Sequence, residues 1–511
     1  MKSSDKKQRF CLQFQFATLP AAVVALLIAT WLGTPELHAA SRRPNVVFIL
    51  TDNHRAWTLG CYGNKDIRTP HIDRFAQEGT LFTNCFSSNA VCSPTRATYL
   101  TGLMPSQHGV HCYLHGGRAQ VGPQAYNMIR EFRTIPRIFA EQGYACGMTG
   151  KWHLGDNAKP QEGFTTWITT PHGHTTTFYD AEIIEDGKIR KEPQYLTEFW
   201  TDHAVKFIED NKERPFFLYV PYNGPYGLGG LLNKPARNRH ATYYEGKELL
   251  SFPREPVHNW LLGNRQFVNN INAMRRYAAE VSGIDDGVGR IMETLKKLEL
   301  DENTLVIFTA DQGLCGGHNG MWGMGDHSRP LHAYDGTMHI PLIWRHPKRI
   351  APGQRSDIML SNYDFYRTLL TYLGWENKIP ATPRSPGRDY STVLRGEPVK
   401  EWDDVIFYEF ENTRSIRTKE WKYTRRVPDG PNELYHLAVD PGERINLVLD
   451  PVHEPQRQRL GARLDAFFDE YADPKYDLWK NGGSKTLLCA MKERPAIPLP
   501  AAEDSSQPAS K

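Results

Sequence analysis

Two segments far apart in the chain constrain its fold more than anything else in the sequence. Asn45-Val46-Val47-Phe48-Ile49-Leu50 is almost continuously apolar and closes on Thr51-Asp52-Asn53. Thr304-Leu305-Val306-Ile307-Phe308-Thr309 repeats the pattern and closes on Ala310-Asp311-Gln312-Gly313. A short run without polar alternation reads as a strand covered on both faces, which is the habit of parallel sheets between helix layers. Phe216 to Val220, Ile340 to Trp344 and Tyr144 to Met148 read as further strands. Helical patterns fall between them, at Thr134 to Gln142, Glu198 to Asn211 and Met274 to Leu298. Strands alternating with helices predict an α/β domain over about residues 43–350, with a mostly parallel or mixed central sheet flanked by helices.

The pattern changes after about residue 350. Asp364 to Leu373 is helical and returns to the first domain or bridges to a second. Val405 to Tyr408, Thr413 to Thr418, Trp421 to Arg425 and Glu433 to Leu437 are short alternating segments, and Gln456 to Tyr471 is amphipathic. Together they predict a C-terminal α+β subdomain over residues 351–475, a smaller antiparallel sheet with a helix. Residues 476–511, rich in Pro, Ala and Ser, read as a mobile tail.

The N-terminus has the order of a signal peptide. Lys2, Lys6, Lys7 and Arg9 precede the apolar stretch Leu19 to Leu32, and Leu37-His38-Ala39-Ala40 offers small residues for cleavage. The alternative is an uncleaved anchor, although the stretch is short for a membrane span. Removal of residues 1–40 leaves no stable membrane span, so the expected location is secreted or periplasmic. Lys+Arg 61 against Asp+Glu 58 gives a net charge of +3, which offers no basic footprint for nucleic acid. Loss of Cys11 with the leader leaves Cys61, Cys85, Cys92, Cys112, Cys146, Cys315 and Cys489, an odd set in which Cys92 is the candidate for special chemistry. The others can pair in several ways or stay reduced.

Ligands of open α/β sheets bind beyond the carboxyl ends of the strands. Asp52-Asn53 and Asp311-Gln312 stand at two such ends, and carboxylates with amide oxygens suit Ca²⁺. Each Asp alone could equally cap a following turn. In Cys92-Ser93-Pro94-Thr95-Arg96, Ser93 suits a helix cap and Pro94 the first helical position, with the helix running to Gly102. Cys92 then lies at a helix start that favours an anion, and Arg96, one turn on, reaches the same anion. A buried structural cysteine is the plainer alternative. In Gly150-Lys151-Trp152-His153-Leu154-Gly155, an extended backbone puts Lys151 and His153 on one face as a fixed charge and a proton-transfer group. The plainer alternative is a surface lysine and a structural histidine.

These motifs, with Pro44-Asn45-Val46-Val47-Phe48 before Asp52, Leu100-Thr101-Gly102 after Arg96, and Glu433-Leu434-Tyr435-His436-Leu437 followed by Asp440-Pro441-Gly442-Glu443 and Asn446-Leu447, resemble the sulfatase family of the alkaline phosphatase superfamily. The resemblance covers about residues 43–470 and implies a specific chemistry. A formylglycine-generating enzyme would oxidise Cys92 to formylglycine, whose hydrate attacks sulfur in an organic sulfate ester, a sulfated small molecule or glycan, and releases inorganic sulfate. Asp52, Asn53, Asp311 and Gln312 would hold Ca²⁺, which also touches residue 92. Arg96 would stabilise the nucleophile, Lys151 would bind sulfate and His153 would assist proton removal. Three positions depart from the family pattern. Asn53 replaces a second Asp, Tyr226 follows Asn223-Gly224-Pro225 where a His is usual, and Met324 with an insertion through Asp326-His327-Ser328-Arg329-Pro330 stands where a Lys is usual. Tyr226 is therefore expected at the substrate, with Arg329 as a substitute charge and His318, His327 or His332 as a substitute proton source. Arg237, Arg239, His240, Tyr243, Tyr244, His258 and Trp260 suit a sugar-binding rim or an ordinary packed loop. A phosphoester or phosphonate hydrolase on the same fold and a non-catalytic sulfated-ligand binder are the competing functions.

Overall fold

The run at residues 45–50 becomes β1 (Asn45–Asp52), all of it buried, in a computed structural model that describes residues 43–115, 119–399 and 401–499. The leader expected over residues 1–40 lies outside the described residues. In chain order the main elements are α1 (Pro70–Gln77), β2 (Thr80–Phe86), α2 (Cys92–Thr101), α3 (Ile135–Glu141), β3 (Ala145–Gly150), β4 (Thr166–Thr169), β5 (Ala181–Glu185), β6 (Lys188–Glu192) and α4 (Leu196–Asp210). They continue with β7 (Phe216–Pro225), α5 (Ile271–Lys297), β8 (Thr304–Ala310), β9 (His339–Arg345), β10 (Gln354–Ser361) and α6 (Tyr363–Tyr372).

Ten strands form one mixed sheet in the order β10-β2-β9-β8-β1-β7-β3-β4-β5-β6. The centre from β8 through β1, β7 and β3 to β4 is parallel, while β9 runs against both of its neighbours. Both faces of β1 are covered, as its composition demands. Val46, Phe48 and Leu50 join a core with Tyr99 of α2 and Phe365 of α6, whose rings lie 5.7 Å and 4.7 Å from Phe48. Val47 and Ile49 join the opposite core with Trp200 of α4 and Val281, Ile284 and Val288 of α5. Each such side chain contributes about 1.5–3 kcal/mol on burial.

Beyond residue 350, β10 still belongs to the large sheet, as its edge beside β2. A four-stranded antiparallel sheet follows, built from β11 (Val405–Phe410), β12 (Thr413–Thr418), β13 (Trp421–Arg426) and β14 (Glu433–His436). The helix α7 (Glu454–Tyr471) covers it through Leu460, Leu464, Phe467 and Phe468, with Phe407 and Phe467 stacked at 3.9 Å. Met104 and Tyr363 enter the same core, so the small sheet is packed onto the larger part of the fold.

The mobile tail expected from residue 476 needs correction over the described residues. Tyr476, Leu478 and Met491 are buried, Asp477 pairs with Arg414 at 2.7 Å, and Lys485 Nζ donates to Met128 O at 2.8 Å. A Pro- and Ala-rich composition marks irregular backbone, and irregular backbone can still be packed and bonded. No helix among the described residues is long and apolar enough to cross a membrane.

Candidate active site

The register of β1 against β8 brings the two acids together. Thr51 pairs with Ala310, and the Asp311 N–H donates to Thr51 O at 2.9 Å, so Asp52 and Asp311 leave the same edge of the sheet side by side. The Asn53 and Gln312 N–H groups both donate to Asp311 Oδ1, at 3.2 Å and 2.8 Å. Both carboxylates are fully buried, which is costly unless each is paired.

Arg96 and Lys151 provide the pairing. From α2, Arg96 Nη2 reaches Asp52 Oδ2 at 2.9 Å and Asp311 Oδ2 at 2.8 Å, while its Nη1 donates to Lys151 O at 2.6 Å. Lys151 Nζ lies 2.5 Å from Asp52 Oδ2. Two carboxylates and two cations cancel in charge. Cys92, at the start of α2, places its sulfur 3.8 Å from Asp52 Oδ1 and 3.3 Å from Gln312 Nε2. Burial, then the charge of Asp52, pushes its thiol up to about 12, so an unmodified Cys92 is not a nucleophile near neutral pH. Ser93 is not the helix cap. Its hydroxyl donates to His153 O at 2.8 Å and accepts from Leu114 N at 3.1 Å, while Asn89 Oδ1 receives the Val91 N–H ahead of the helix.

The donor set fits a hard cation. Asp52, Cys92 and Asp311 offer ligand atoms that all lie within 4.8 Å of one another. Asn53 Oδ1 accepts from Gln312 Nε2 at 2.6 Å, and Gln312 Oε1 is buried with no partner among the described residues. An orphaned buried carbonyl beside two carboxylates is what Ca²⁺ satisfies, and a turn of the Gln312 amide exchanges its oxygen with its nitrogen. Asp311 is pushed up by burial and then by the charge of Asp52, a cost that a divalent cation removes. The thiol is the one soft donor in the set.

His153 is at the site by a different route from the extended one expected. Its backbone is left-handed at φ 57°, and its Nε2 faces Leu114 O at 3.4 Å. A carbonyl only accepts, so Nε2 carries the proton and Nδ1, buried without a partner, keeps a free lone pair. Burial, then Lys151, holds the imidazole well below its usual range, so it is neutral. Gly173 makes room for it, since a Cβ there would sit 1.8 Å from His153 Cδ2. Nothing in the spacing of the sequence pointed to Leu114 or Gly173.

Of the residues expected at the substrate, only Tyr226 lies beside Lys151. Tyr226 packs its ring 5.2 Å from Lys151 Nζ, and its hydroxyl lies 3.4 Å from His174 Nδ1. The imidazole nearest Tyr226 thus comes from His174, which the sequence reading missed. His318 is engaged elsewhere, on Cys315 O at 3.1 Å and against Trp57, and His332 is buried on Tyr334. Arg329 is also a correction. Its guanidinium is spent on the carbonyls of Asp326, Ser328 and Cys489. The same insertion contributes an Asp326–His327 ion pair at 3.0 Å, and Met324 Sδ lies 3.2 Å from Gln312 Nε2.

A cavity of about 450 Å³ is lined by Pro225 and Gly227, which flank Tyr226, and by Arg237, Lys234, Arg276 and Glu280. Most of the expected rim is loop packing. Arg239 and His240 are held by Asp286, Tyr244 bonds Ser282 and the Arg68 N–H, and Trp260 stacks on Tyr334.

Comparison with known proteins agrees with this geometry. The sulfatase family model matches residues 44–375, and the model for the C-terminal part of N-sulphoglucosamine sulphohydrolase matches residues 321–470. The N-acetylgalactosamine-6-sulfatase of Mus musculus is 30% identical over 84% of this chain and 87% of its own length. The N-acetylglucosamine-6-O-sulfatase of Bacteroides thetaiotaomicron is 26% identical over 89% of this chain and 91% of its own. A protein solved with its substrate D-glucosamine-2-N,6-O-disulfate superposes with a TM-score of 0.66 and 25% identity, covering 84% of this chain and 98% of that one. The chain belongs to the sulfatase family and is a sulfuric ester hydrolase.

Proposed function

We propose that this enzyme is exported and releases inorganic sulfate from sulfated carbohydrates, 6-sulfated amino sugars first among them. Residue 92 is matured to formylglycine, and Ca²⁺ is held by Asp52, Asn53, Asp311 and Gln312. The observation that carries this reading is the position of Cys92. A thiol pushed up to about 12 sits 3.8 Å from Asp52 Oδ1 in an otherwise all-oxygen donor set, which makes sense for a precursor and not for a nucleophile. The substrate class is supported by the amino-sugar sulfates that the relatives named above act on or bind. Export is supported by the basic, apolar, small-residue order of residues 1–40.

When present, Ca²⁺ draws charge from the sulfate oxygens and the formylglycine hydrate supplies the attacking hydroxyl. Arg96 bridges Asp52 and Asp311, which fixes the donor set before substrate arrives. Lys151 lies on Asp52 and has two further protons to offer a sulfate oxygen. His153 is neutral and accepts the hydroxyl proton at Nδ1. His174, against the Tyr226 hydroxyl, is lowered to about 4 by burial and then by Lys151, so it meets the substrate side of the site as a neutral hydrogen-bonding group.

The test is sulfate release from N-acetylglucosamine-6-sulfate and N-acetylgalactosamine-6-sulfate, with an aryl phosphate as contrast and Cys92→Ala as control. Peptide mass spectrometry should show formylglycine at residue 92 after production with the modifying enzyme. Turnover by Cys92→Ala, or preference for the phosphate ester, would refute the mechanism.

A further inference from the structure

Cys112 and Cys489 are 377 residues apart in sequence, yet their sulfurs are 3.2 Å apart. No other two cysteine sulfurs touch among the described residues. The contact is held by bonds that do not involve sulfur. Cys112 N donates to Thr486 Oγ1 at 3.1 Å, Lys485 N donates to Gly109 O at 2.9 Å, and Cys489 N donates to Glu411 Oε1 at 2.7 Å. Cys112 is buried, Cys489 is half-buried, and His115 Nε2 lies 3.8 Å from the Cys489 sulfur.

We propose that Cys112 and Cys489 form a disulfide that clamps the C-terminal segment 484–491 onto the loop leading to Leu114 in the active site. Leu114 lies two residues beyond Cys112; its N–H donates to Ser93 Oγ and its carbonyl faces His153. The clamp thus backs the support of a catalytic histidine. Closure proceeds by exchange with an external disulfide, RSSR. The Cys489 thiolate attacks one sulfur of RSSR, forming a mixed disulfide and expelling RS⁻. The Cys112 thiol then loses its proton and attacks the Cys489 sulfur, which forms the Cys112–Cys489 bond and expels the second RS⁻. The two protein thiols give up two electrons and two protons, and RSSR takes them as two RSH. The pair is poised for this order of events. Cys489 is lowered to about 5, chiefly by the hydrogen bond from Cys112 and also by His115, whereas burial raises Cys112.

A shared metal ion fits the same residues less well. Cys112, His115 and Cys489 could each give one ligand, but two thiolates on one tetrahedral zinc stand about 3.8 Å apart, given Zn–S bonds of about 2.3 Å. The full-length protein, incubated with oxidised glutathione, should be alkylated in acid, digested without reductant and mapped by mass spectrometry. The expected result is a Cys112-peptide and a Cys489-peptide joined and two hydrogens lighter than the separate thiols. Reduction should separate them and lower Tm by about 5 °C in the natural protein but not in Cys112→Ser or Cys489→Ser. Alkylation of both thiols after oxidised glutathione would overturn the proposal. So would a different cysteine pair, or stoichiometric zinc whose removal by a chelator is what exposes the thiols. The mass readout does not depend on the state of residue 92, so it stands or falls apart from the sulfatase mechanism.

Discussion

At the scale of single residues, the site turns on one buried arginine. Arg96 binds Asp52, Asp311 and the Lys151 carbonyl at once. Arg96→Ala should lower kcat/KM by about 10³-fold or more and cost about 3–5 kcal/mol of stability, because two carboxylates are left unpaired. Arg96→Lys should recover little of either, since an ammonium cannot span three acceptors in that plane. Kinetics alongside thermal unfolding checks both. Gly173→Ala probes His153 without touching a charge. The added Cβ would meet the ring at 1.8 Å, so the imidazole must leave Leu114. A fall in kcat of about 100-fold is expected, together with a lower Tm because both residues are buried. Unchanged kcat would mean that His153 takes no part. Glu280, which receives the Tyr195 hydroxyl, is pushed up to about 8 by burial. The folded protein therefore keeps a proton there that the unfolded chain releases near 4.5. Its contribution to stability is full below about 4.5 and is lost as pH rises toward about 8. Glu280→Gln should flatten the decline of stability over that window, by up to about 1.4 kcal/mol per pH unit, and with it the fall of Tm. Parallel Tm profiles for the two proteins would contradict it.

At the scale of elements, α5 is seated against the sheet by packing that glycine permits. Within α5, Gly287 lets the helix approach β7 and α4 closely. A Cβ there would lie 2.6 Å from Tyr222 OH and 2.8 Å from Thr201 Oγ1, and these hydroxyls bond each other at 2.7 Å. Alanine is better than glycine in a helix by about 1 kcal/mol. Both hydroxyls are buried and committed, so the collision should win and Gly287→Ala should lower Tm by about 2–4 °C. A rise in Tm would show that the helix can move outward at no cost. The C-terminal sheet is joined to the rest by charge as well as by apolar contact. Arg417 of β12 and Lys422 of β13 reach Asp335 at 2.9 Å and 3.0 Å, next to Tyr334 and close to the insertion that carries Asp326 and His327.

For the whole molecule, the candidate cation site joins the ends of β1 and β8, which are more than two hundred residues apart in the chain. A ligand that binds only the folded arrangement stabilises it by mass action. Chelation should abolish sulfate release and lower Tm, and Ca²⁺ should restore both better than Mg²⁺. The donors come from two strand ends and must admit a bulky anion, which suits the larger ion's flexible shell. Full activity in metal-free protein would refute the metal assignment.

Local pattern in the sequence was enough for β1 and β8, because apolar residues on both faces have few other uses, and for the acid–amide pair that ends each one. It was also enough for Cys92, Arg96, Lys151 and His153 as candidates, and for the meander with its covering helix. It was silent on β2 and β10, and on the reversed direction of β9, since strand direction is set by how distant segments close on one another. His318 and Arg329 were plausible by residue type and wrong by position. Which imidazole reaches Tyr226, and what an insertion's arginine bonds to, depend on loop paths that no periodicity records. The packed segment 476–499 and the meeting of Cys112 with Cys489 belong to the same class. Periodicity reports which face of an element is apolar, whereas partners across hundreds of residues are chosen only when the whole core closes.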